Sequence, residues 1–155
     1  MPINPSAVAG KKAAHTRKRR VPARTVAAPT KAPRIAENRV VLAVQNLDAS
    51  IAYKDVLGCE DVGGWDRSTG WCFLGRDKFR VMIGQCPEAK AASQIGVHSY
   101  VAYVVVDDVD ALHDEIRRRG GSKRISAPQS QPWGMRECCL ETPDGHRIMF
   151  GQDLD

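Results

Sequence analysis

The fold of this chain is decided by the stretch RVVLAVQNLDA at residues 39–49, which recurs in outline as VAYVVVDDVDA at residues 101–111. At a constant offset of 62 positions, Val44, Leu47, Asp48, Ala49 and Gly58 return as Val106, Val109, Asp110, Ala111 and Gly120. Each stretch has the pattern of a strand that runs into a helix. The Asp is suited to cap the start of the helix, and the Gly to end it in a left-handed turn.

A strand-turn-strand pattern follows each predicted helix. In the first half it covers residues 71–74 and 79–83, and in the second half residues 136–140 and 146–150. The second turn contains Pro143-Asp-Gly145, in which Pro fixes φ and Gly accepts a positive φ. Spacing leaves room for one further strand in each half, near residues 60–65 and 122–127. We therefore predict an α+β fold of two tandem βαβββ modules, at about residues 37–86 and 97–152.

Charge divides the chain into two parts. Residues 1–34 hold nine Lys and Arg and no acidic residue, which leaves 14 basic and 18 acidic residues, a balance of −4, for residues 35–155. We predict a disordered basic tail at 1–34 and one folded domain at 35–155. Three interpretations of the tail stay open: a solvated segment without a specific role, a weak salt-sensitive contact with nucleic acid, or a transit peptide.

Cysteine usage and hydropathy indicate the compartment. The five cysteines are an odd number without a Cys-x-x-Cys pair, which favours reduced thiols in the cytoplasm. Cys138 and Cys139 are adjacent on a predicted strand, so their side chains point to opposite faces and do not share a metal site. No apolar run reaches the roughly 20 residues of a membrane helix, so we expect no membrane partner.

The closing string QPWGMRECCLETPDGHRIMFG at residues 131–151 resembles the last hairpin of bleomycin-resistance proteins. Together with the repeat, it makes residues 37–152 similar to the vicinal-oxygen-chelate superfamily, which includes glyoxalases and dioxygenases. This resemblance implies a curved mixed sheet with a concave ligand cleft. It also implies a homodimer whose clefts lie at the subunit interface.

Enzymes of that superfamily hold a divalent metal at four cleft positions. The repeat assigns these positions to Arg39, Val101, Met149 and Met82. None suits such an ion, because Arg has no lone pair to donate, Val has no donor atom, and a thioether prefers soft metals. The four histidines, His15, His98, His113 and His146, lie out of register with these positions. We predict no metal, no cofactor and no catalytic residue.

Without a metal, the predicted cleft is lined by aromatic rings and a few polar anchors. The rings are those of Trp65, Trp71, Phe73, Tyr103 and Trp133, and the other candidates are Arg39, Gly134, Arg136, Glu137 and Met149. Rings on curved strands usually belong to the core, and this interpretation is favoured for Trp71 and Phe73. Arg136 and Glu137 match an Arg-Glu pair of the resistance proteins, and either anchor a ligand or form a structural salt bridge.

The leading hypothesis is a metal-free, dimeric protein that binds and sequesters a planar or drug-like small molecule. The alternative is a metal-dependent glyoxalase-type lyase, isomerase or dioxygenase, which requires ligands where Arg39, Val101 and Met149 stand. A third hypothesis is a nucleic-acid-associated protein that uses tail residues 11–24.

Overall fold

The first module is a four-stranded sheet with two short helices. In the computed structural model, which describes residues 34–63 and 67–154, it contains β1 (Val40–Val44), α1 (Leu47–Ala52), α2 (Lys54–Leu57), β2 (Glu60–Asp61), β3 (Trp71–Arg76) and β4 (Phe79–Gln85). The strand order is β1-β4-β3-β2. Strand β1 runs parallel to β4, and the other neighbours are antiparallel.

The second module repeats this arrangement. It contains β5 (Tyr100–Val105), α3 (Val109–Ile116), β6 (Gln129–Ser130), β7 (Met135–Glu141) and β8 (Arg147–Asp153), in the order β5-β8-β7-β6. The edge strand β5 is again parallel to its neighbour β8. Short 3-10 segments lie at Arg67–Thr69 and Ala92–Ser99. The predicted α+β fold of two tandem modules is thereby confirmed.

The strand predicted near residues 122–127 was misplaced. In that stretch Ile125 forms an isolated bridge to Leu140, and the strand itself is β6, closer to the hairpin. The reason is a π-helical turn at Arg117–Gly121 that continues α3. Gly121 packs so closely that a β-carbon there would lie 2.5 Å from Ile116 Cγ2.

The predicted helix caps were also wrong by two residues. The capping side chains are those of Asn46, which accepts from the Ala49 amide at 3.0 Å, and Asp108, which accepts from the Ala111 amide at 2.9 Å. A cap must precede the first helical turn, whereas Asp48 and Asp110 lie within it. The predicted left-handed turns are confirmed at Gly58 (φ 64°) and Gly120 (φ 99°).

The core lies on the helix-facing side of both sheets. Alternate strand residues are buried there with side chains of α1, α2 and α3; they include Leu42, Val44, Cys72, Leu74, Val81, Ile83, Cys138, Leu140, Ile148 and Phe150. Because side chains alternate along a strand, the residues between them occupy the other side of each sheet. We call that side the open face.

Polar contacts connect the two modules. Ser50 of α1 donates to the Asp144 carboxylate at 2.6 Å, and Arg76 of β3 forms an ion pair with Glu115 of α3 at 2.8 Å. Residues Ile35–Asp155 form one compact unit. In the part of the chain that the structure describes, no helix is long and apolar enough to cross a membrane. The tail was predicted to be disordered over residues 1–34, of which residues 1–33 lie outside the described residues.

Candidate ligand-binding site

Three predicted site residues meet on the open face of the second sheet. The Tyr103 hydroxyl donates to Glu137 Oε1 at 2.6 Å, and the Trp133 indole N–H donates to the same oxygen at 3.3 Å. Tyr103 comes from β5 and Glu137 from β7, so both side chains reach across the intervening strand β8. We call the group formed by Tyr103, Trp133, Glu137, Met149 and Gly151 the Glu137 site.

A short turn presents the ring of Trp133. Gly134 has a positive φ of 82°, and its carbonyl accepts from the Leu154 amide at 2.9 Å. The Gln131 amide donates to the Met135 carbonyl at 2.7 Å, which closes the turn. Trp133 is 64% exposed. Gly134 thus serves the site through its backbone, by fixing the turn that carries the ring.

The carboxylate of Glu137 is buried without a cationic partner. The residue is 8% exposed, and among the described residues no Lys, Arg or His forms an ion pair with it. A buried carboxylate is costly unless hydrogen bonds or an opposite charge compensate. Its two donors, the Tyr103 hydroxyl and the Trp133 indole N–H, are neutral and bind the same oxygen. Among the described residues no hydrogen bond reaches the second oxygen, which is not fully buried and can accept from a donor outside the chain.

The Tyr103 hydroxyl stays protonated in this environment and donates to Glu137. Burial of the hydroxyl and its hydrogen bond to the Glu137 carboxylate raise the pKa of Tyr103 to about 12. Although its hydroxyl is engaged, the residue as a whole is 49% exposed. The ring is therefore neutral at physiological pH and presents an accessible aromatic surface.

Strand β8 forms the floor of the site. Met149 stands opposite Tyr103 in the β5–β8 register, and Gly151 stands opposite Glu137 in the β7–β8 register. Met149 is half-buried and supplies a flexible apolar side chain. Gly151 has no side chain, and the Tyr103 ring passes over it.

Arg136 lies on the opposite face of β7 from Glu137. Its guanidinium forms a bidentate pair with Asp110 of α3, at 2.7 and 2.8 Å. The hydrogen bond from Arg136 holds the pKa of Asp110 below its usual value. The two predicted members of an Arg-Glu pair are thus separated, and Arg136 connects the sheet to its helix.

The remaining predicted residues lie on the open face of the first sheet. The Arg39 guanidinium lies 5.5 Å from the centre of the Phe73 ring, and Phe73 stands opposite Met82. Trp71 lies over Gly84, where a β-carbon would be 2.9 Å from its ring. Trp71 and Phe73 are therefore outside the core. Trp65 lies outside the described residues.

A groove of about 680 Å³ runs along the edge strands of the two sheets, and both Arg39 and Tyr103 line it. Its other lining residues on the open faces include Val41, Arg80, Val101 and Val105. The wall from the first sheet is basic, although Glu37 forms an ion pair with Arg39. Glu137 lies farther along the second sheet, on β7.

The metal positions implied by the fold family hold unsuitable side chains. The register places Met82 opposite Val41 and Met149 opposite Tyr103, so the two methionines occupy equivalent places in the two sheets. With Arg39 and Val101 they form a donor set that does not fit a divalent ion. Within residues 34–63 and 67–154, no group of three or more His, Cys, Asp or Glu side chains is arranged to hold a metal ion.

The histidines do not complete such a site. His146 is buried beside Thr142, with 3.3 Å between Nδ1 and Thr142 Oγ1, and burial lowers its pKa. His113 lies on α3 next to Asp114. The side chain of His98 and the whole of His15 lie outside what the structure describes.

The sequence patterns did not reveal two contributions to this region. The predicted strand ends at residue 150, so Gly151 was not recognised as a glycine inside a strand, which often marks the close approach of another group. Asp110 was treated as a helix cap, and its pairing with Arg136 joins residues 26 positions apart. That pairing depends on how α3 packs on the sheet, which no local pattern reveals.

Comparison with known proteins agrees with this architecture. The chain matches the family model of the glyoxalase/bleomycin resistance protein/dioxygenase superfamily over residues 37–150. No curated protein matches it at a significant level.

Several solved structures share the fold. A bleomycin resistance determinant encoded on transposon Tn5 is 22% identical, with a TM-score of 0.63 over 77% of this chain and 98% of its own. The bleomycin-binding protein of Streptomyces verticillus, solved with copper(II)-bleomycin, is 25% identical, with a TM-score of 0.58 over 77% and 97%. A glyoxalase-related enzyme from Clostridium phytofermentans is 20% identical, with a TM-score of 0.60 over 78% and 97%. Because the family model matches residues 37–150, well over half of the sequence, the chain belongs to the glyoxalase/bleomycin resistance protein/dioxygenase superfamily.

Proposed function

We propose that this protein binds and sequesters a planar, cationic small molecule without a metal ion and without changing it chemically. The observation that carries this proposal is the buried Glu137 carboxylate, which has aromatic rings as neighbours and no cationic partner among the described residues. A positively charged N–H donor would supply the missing charge. Hydrogen bonds to charged groups of this kind contribute about 1.5–3 kcal/mol.

The rings provide the second part of the binding energy. Tyr103 and Trp133 are both partly exposed and both anchored at one end by Glu137, so their faces stay available in a fixed orientation. An aromatic face in contact with a planar or cationic group contributes roughly 0.5–2 kcal/mol. Solved relatives include proteins complexed with bleomycin, which makes a bleomycin-type glycopeptide the first probe to test.

We also propose that two copies form the complete cleft. On the open faces of a single copy, the edge strands β1 and β5 present Val41 and Val105 to solvent, 56% and 69% exposed. A homodimer would cover these residues and enclose the groove. Sedimentation velocity tests this proposal: a single species of about twice the 17.0 kDa chain mass is expected, and a monomer at micromolar concentration would contradict it.

A cytoplasmic location is part of the same proposal. All five cysteines are free thiols, and burial raises the pKa of Cys59 and Cys138 to about 11, which keeps both thiols protonated and unreactive. Reduced, unreactive thiols agree with a reducing compartment.

The experiment is a fluorescence titration with bleomycin that follows tryptophan emission. We expect saturable quenching for the wild type and at least tenfold weaker binding for Glu137→Gln, which preserves the shape of the side chain and removes its charge. Glu141→Gln is the matched control, because Glu141 lies on the same face of the same strand and is more exposed. Equal affinity of wild type and Glu137→Gln would refute the assignment of the site. Absence of quenching at micromolar protein would reject this ligand class.

A further inference from the structure

Gly151 occupies the point at which the side chain of Tyr103 crosses the sheet. In the register, Tyr103 pairs with Met149 and not with Gly151, whereas Glu137 pairs with Gly151. The Tyr103 side chain therefore extends diagonally across β8 before its hydroxyl reaches Glu137 Oε1 at 2.6 Å. A β-carbon built on Gly151 would lie 2.6 Å from Tyr103 Cζ and 2.9 Å from Cε1, and closer still to the hydroxyl oxygen.

We propose that Gly151 is a positioning residue of the Glu137 site: its lack of a side chain holds open the path by which Tyr103 reaches Glu137. Any larger residue would occupy the space of the phenol ring and push it away from the carboxylate. The consequence for ligand binding rests on the function proposed above. The geometric part, which concerns Gly151, Tyr103 and Glu137 alone, does not.

Backbone conformation does not account for this glycine. Gly151 is not among the described residues with a positive φ, so its backbone suits any amino acid. Glycine inside a strand is unfavourable, because it loses more conformational freedom on folding than other residues and packs no side chain. The close approach of the Tyr103 ring is the feature of this position that requires the absence of a β-carbon.

The first sheet provides a comparison within the same chain. Gly84 occupies the position equivalent to Gly151, since Ala43 pairs with Gly84 and Val105 with Gly151. An aromatic ring also covers Gly84, but it belongs to Trp71, which pairs with Gly84 directly on β3. In each sheet, the glycine at this position leaves space for an aromatic ring. In the second sheet alone, the ring comes from the parallel edge strand and ends on a buried carboxylate.

The first test uses the protein without ligand. Gly151→Ala is compared with Gly84→Ala, which also places a methyl group beneath an aromatic ring but leaves Tyr103 undisturbed. Ionisation of Tyr103 is followed by NMR of tyrosine labelled with ¹³C at Cζ. With a pKa of about 12, roughly a tenth of Tyr103 is phenolate at pH 11, whereas a tyrosine with the ordinary pKa near 10 is about nine-tenths ionised.

We expect Tyr103 to be mostly ionised at pH 11 in Gly151→Ala and mostly protonated in both the wild type and Gly84→Ala. An unchanged Tyr103 resonance in Gly151→Ala would overturn the proposal. If Gly151→Ala does not fold, the double variant Gly151→Ala/Tyr103→Ala decides, because it removes the ring that clashes. Recovery of folding in the double variant supports the proposal, and failure to recover would overturn it.

The second test addresses binding. Tyr103→Phe removes the hydroxyl, and we expect it to weaken bleomycin binding about fivefold in the wild type, the loss typical of one hydrogen bond. In the Gly151→Ala background the same substitution should change the dissociation constant less than twofold, because the hydroxyl no longer reaches Glu137. Equal losses in the two backgrounds would overturn the positioning role. If the wild type does not bind bleomycin, the proposed function fails, and the ligand-free NMR comparison still decides the role of Gly151.

Discussion

At the scale of single residues, the environment of one carboxylate distinguishes this chain. Glu137 is buried, receives two hydrogen bonds from aromatic side chains, and has no counter-charge among the described residues. Its neighbour Arg136, which the sequence suggested as a partner, faces the helix side of the sheet. Adjacent residues in a strand serve different functions because they point in opposite directions.

Arg136 is therefore expected to matter for packing and not for the ligand. In Arg136→Ala, the bleomycin dissociation constant should stay within about twofold of the wild type, since the pair with Asp110 lies behind the sheet. Titration calorimetry measures this, with Glu137→Gln as the positive control. A loss of affinity as large as that of Glu137→Gln would mean that Arg136 reaches the ligand.

His146 makes stability depend on pH in the mildly acidic range. Burial depresses the pKa of His146 in the folded state, so the unfolded chain binds a proton more readily. The stabilisation that comes from neutral His146 is fully present above the pKa of the unfolded chain, near 6.5, and it is lost as the pH falls below that value. Between pH 7 and pH 5, the melting temperature of the wild type should fall more than that of His146→Gln. Parallel melting curves over that range would contradict the prediction.

At the scale of elements, the sequence predicted most strands and both hairpins, because alternation of apolar residues and turn chemistry are local. The helix caps were misplaced because Asn46 and Asp108 are related by the same 62-residue offset as Asp48 and Asp110. The repeat therefore does not distinguish between the two pairs. Strand β6 was misplaced because two adjacent glycines, Gly120 and Gly121, accommodate a π turn that lengthens the helical segment. Tyr103 and Trp133 were predicted to be near the site, but their shared acceptor depends on the register of three strands.

Substitutions at two turn glycines distinguish the cost of backbone strain from the cost of a steric clash. Gly134 and Gly145 both have a positive φ, of 82° and 86°, but a β-carbon would meet open space at Gly134 and would lie 2.7 Å from Ser93 Cα at Gly145. Gly134→Ala should lower the free energy of unfolding by roughly 1 kcal/mol through strain alone. Gly145→Ala should lower it by about 2 kcal/mol or more, because the 92–99 segment must also move. Urea denaturation of both variants measures the difference, and equal losses would show that the contact with Ser93 is unimportant.

At the scale of the whole molecule, charge is distributed unevenly between residues 1–34 and the folded unit. Long-range attraction by a net charge of −4 favours a cationic ligand, whereas the nine positive charges of the tail favour polyanions. These two properties belong to different parts of the chain. The basic isoelectric point of 9.1 therefore says nothing about the ligand of the folded unit.

Deletion of residues 1–34 should abolish retention of the protein on DNA at low salt and leave bleomycin binding unchanged. Contacts between basic residues and phosphates weaken steeply as salt displaces them, so full-length protein should elute from DNA-cellulose at moderate salt. A full-length variant with Arg17, Lys18, Arg19 and Arg20 changed to alanine tests the basic run directly. DNA retention by residues 35–155 alone would exclude the tail as its cause.

The most direct test of a metal-free ligand site is a crystal structure of the protein grown with bleomycin. We expect the ligand on the open face of the second sheet, with a cationic nitrogen within about 3 Å of the Glu137 carboxylate and an aromatic group against Tyr103 or Trp133. A divalent ion held by protein side chains on that face, or a ligand bound away from Glu137, would contradict the account.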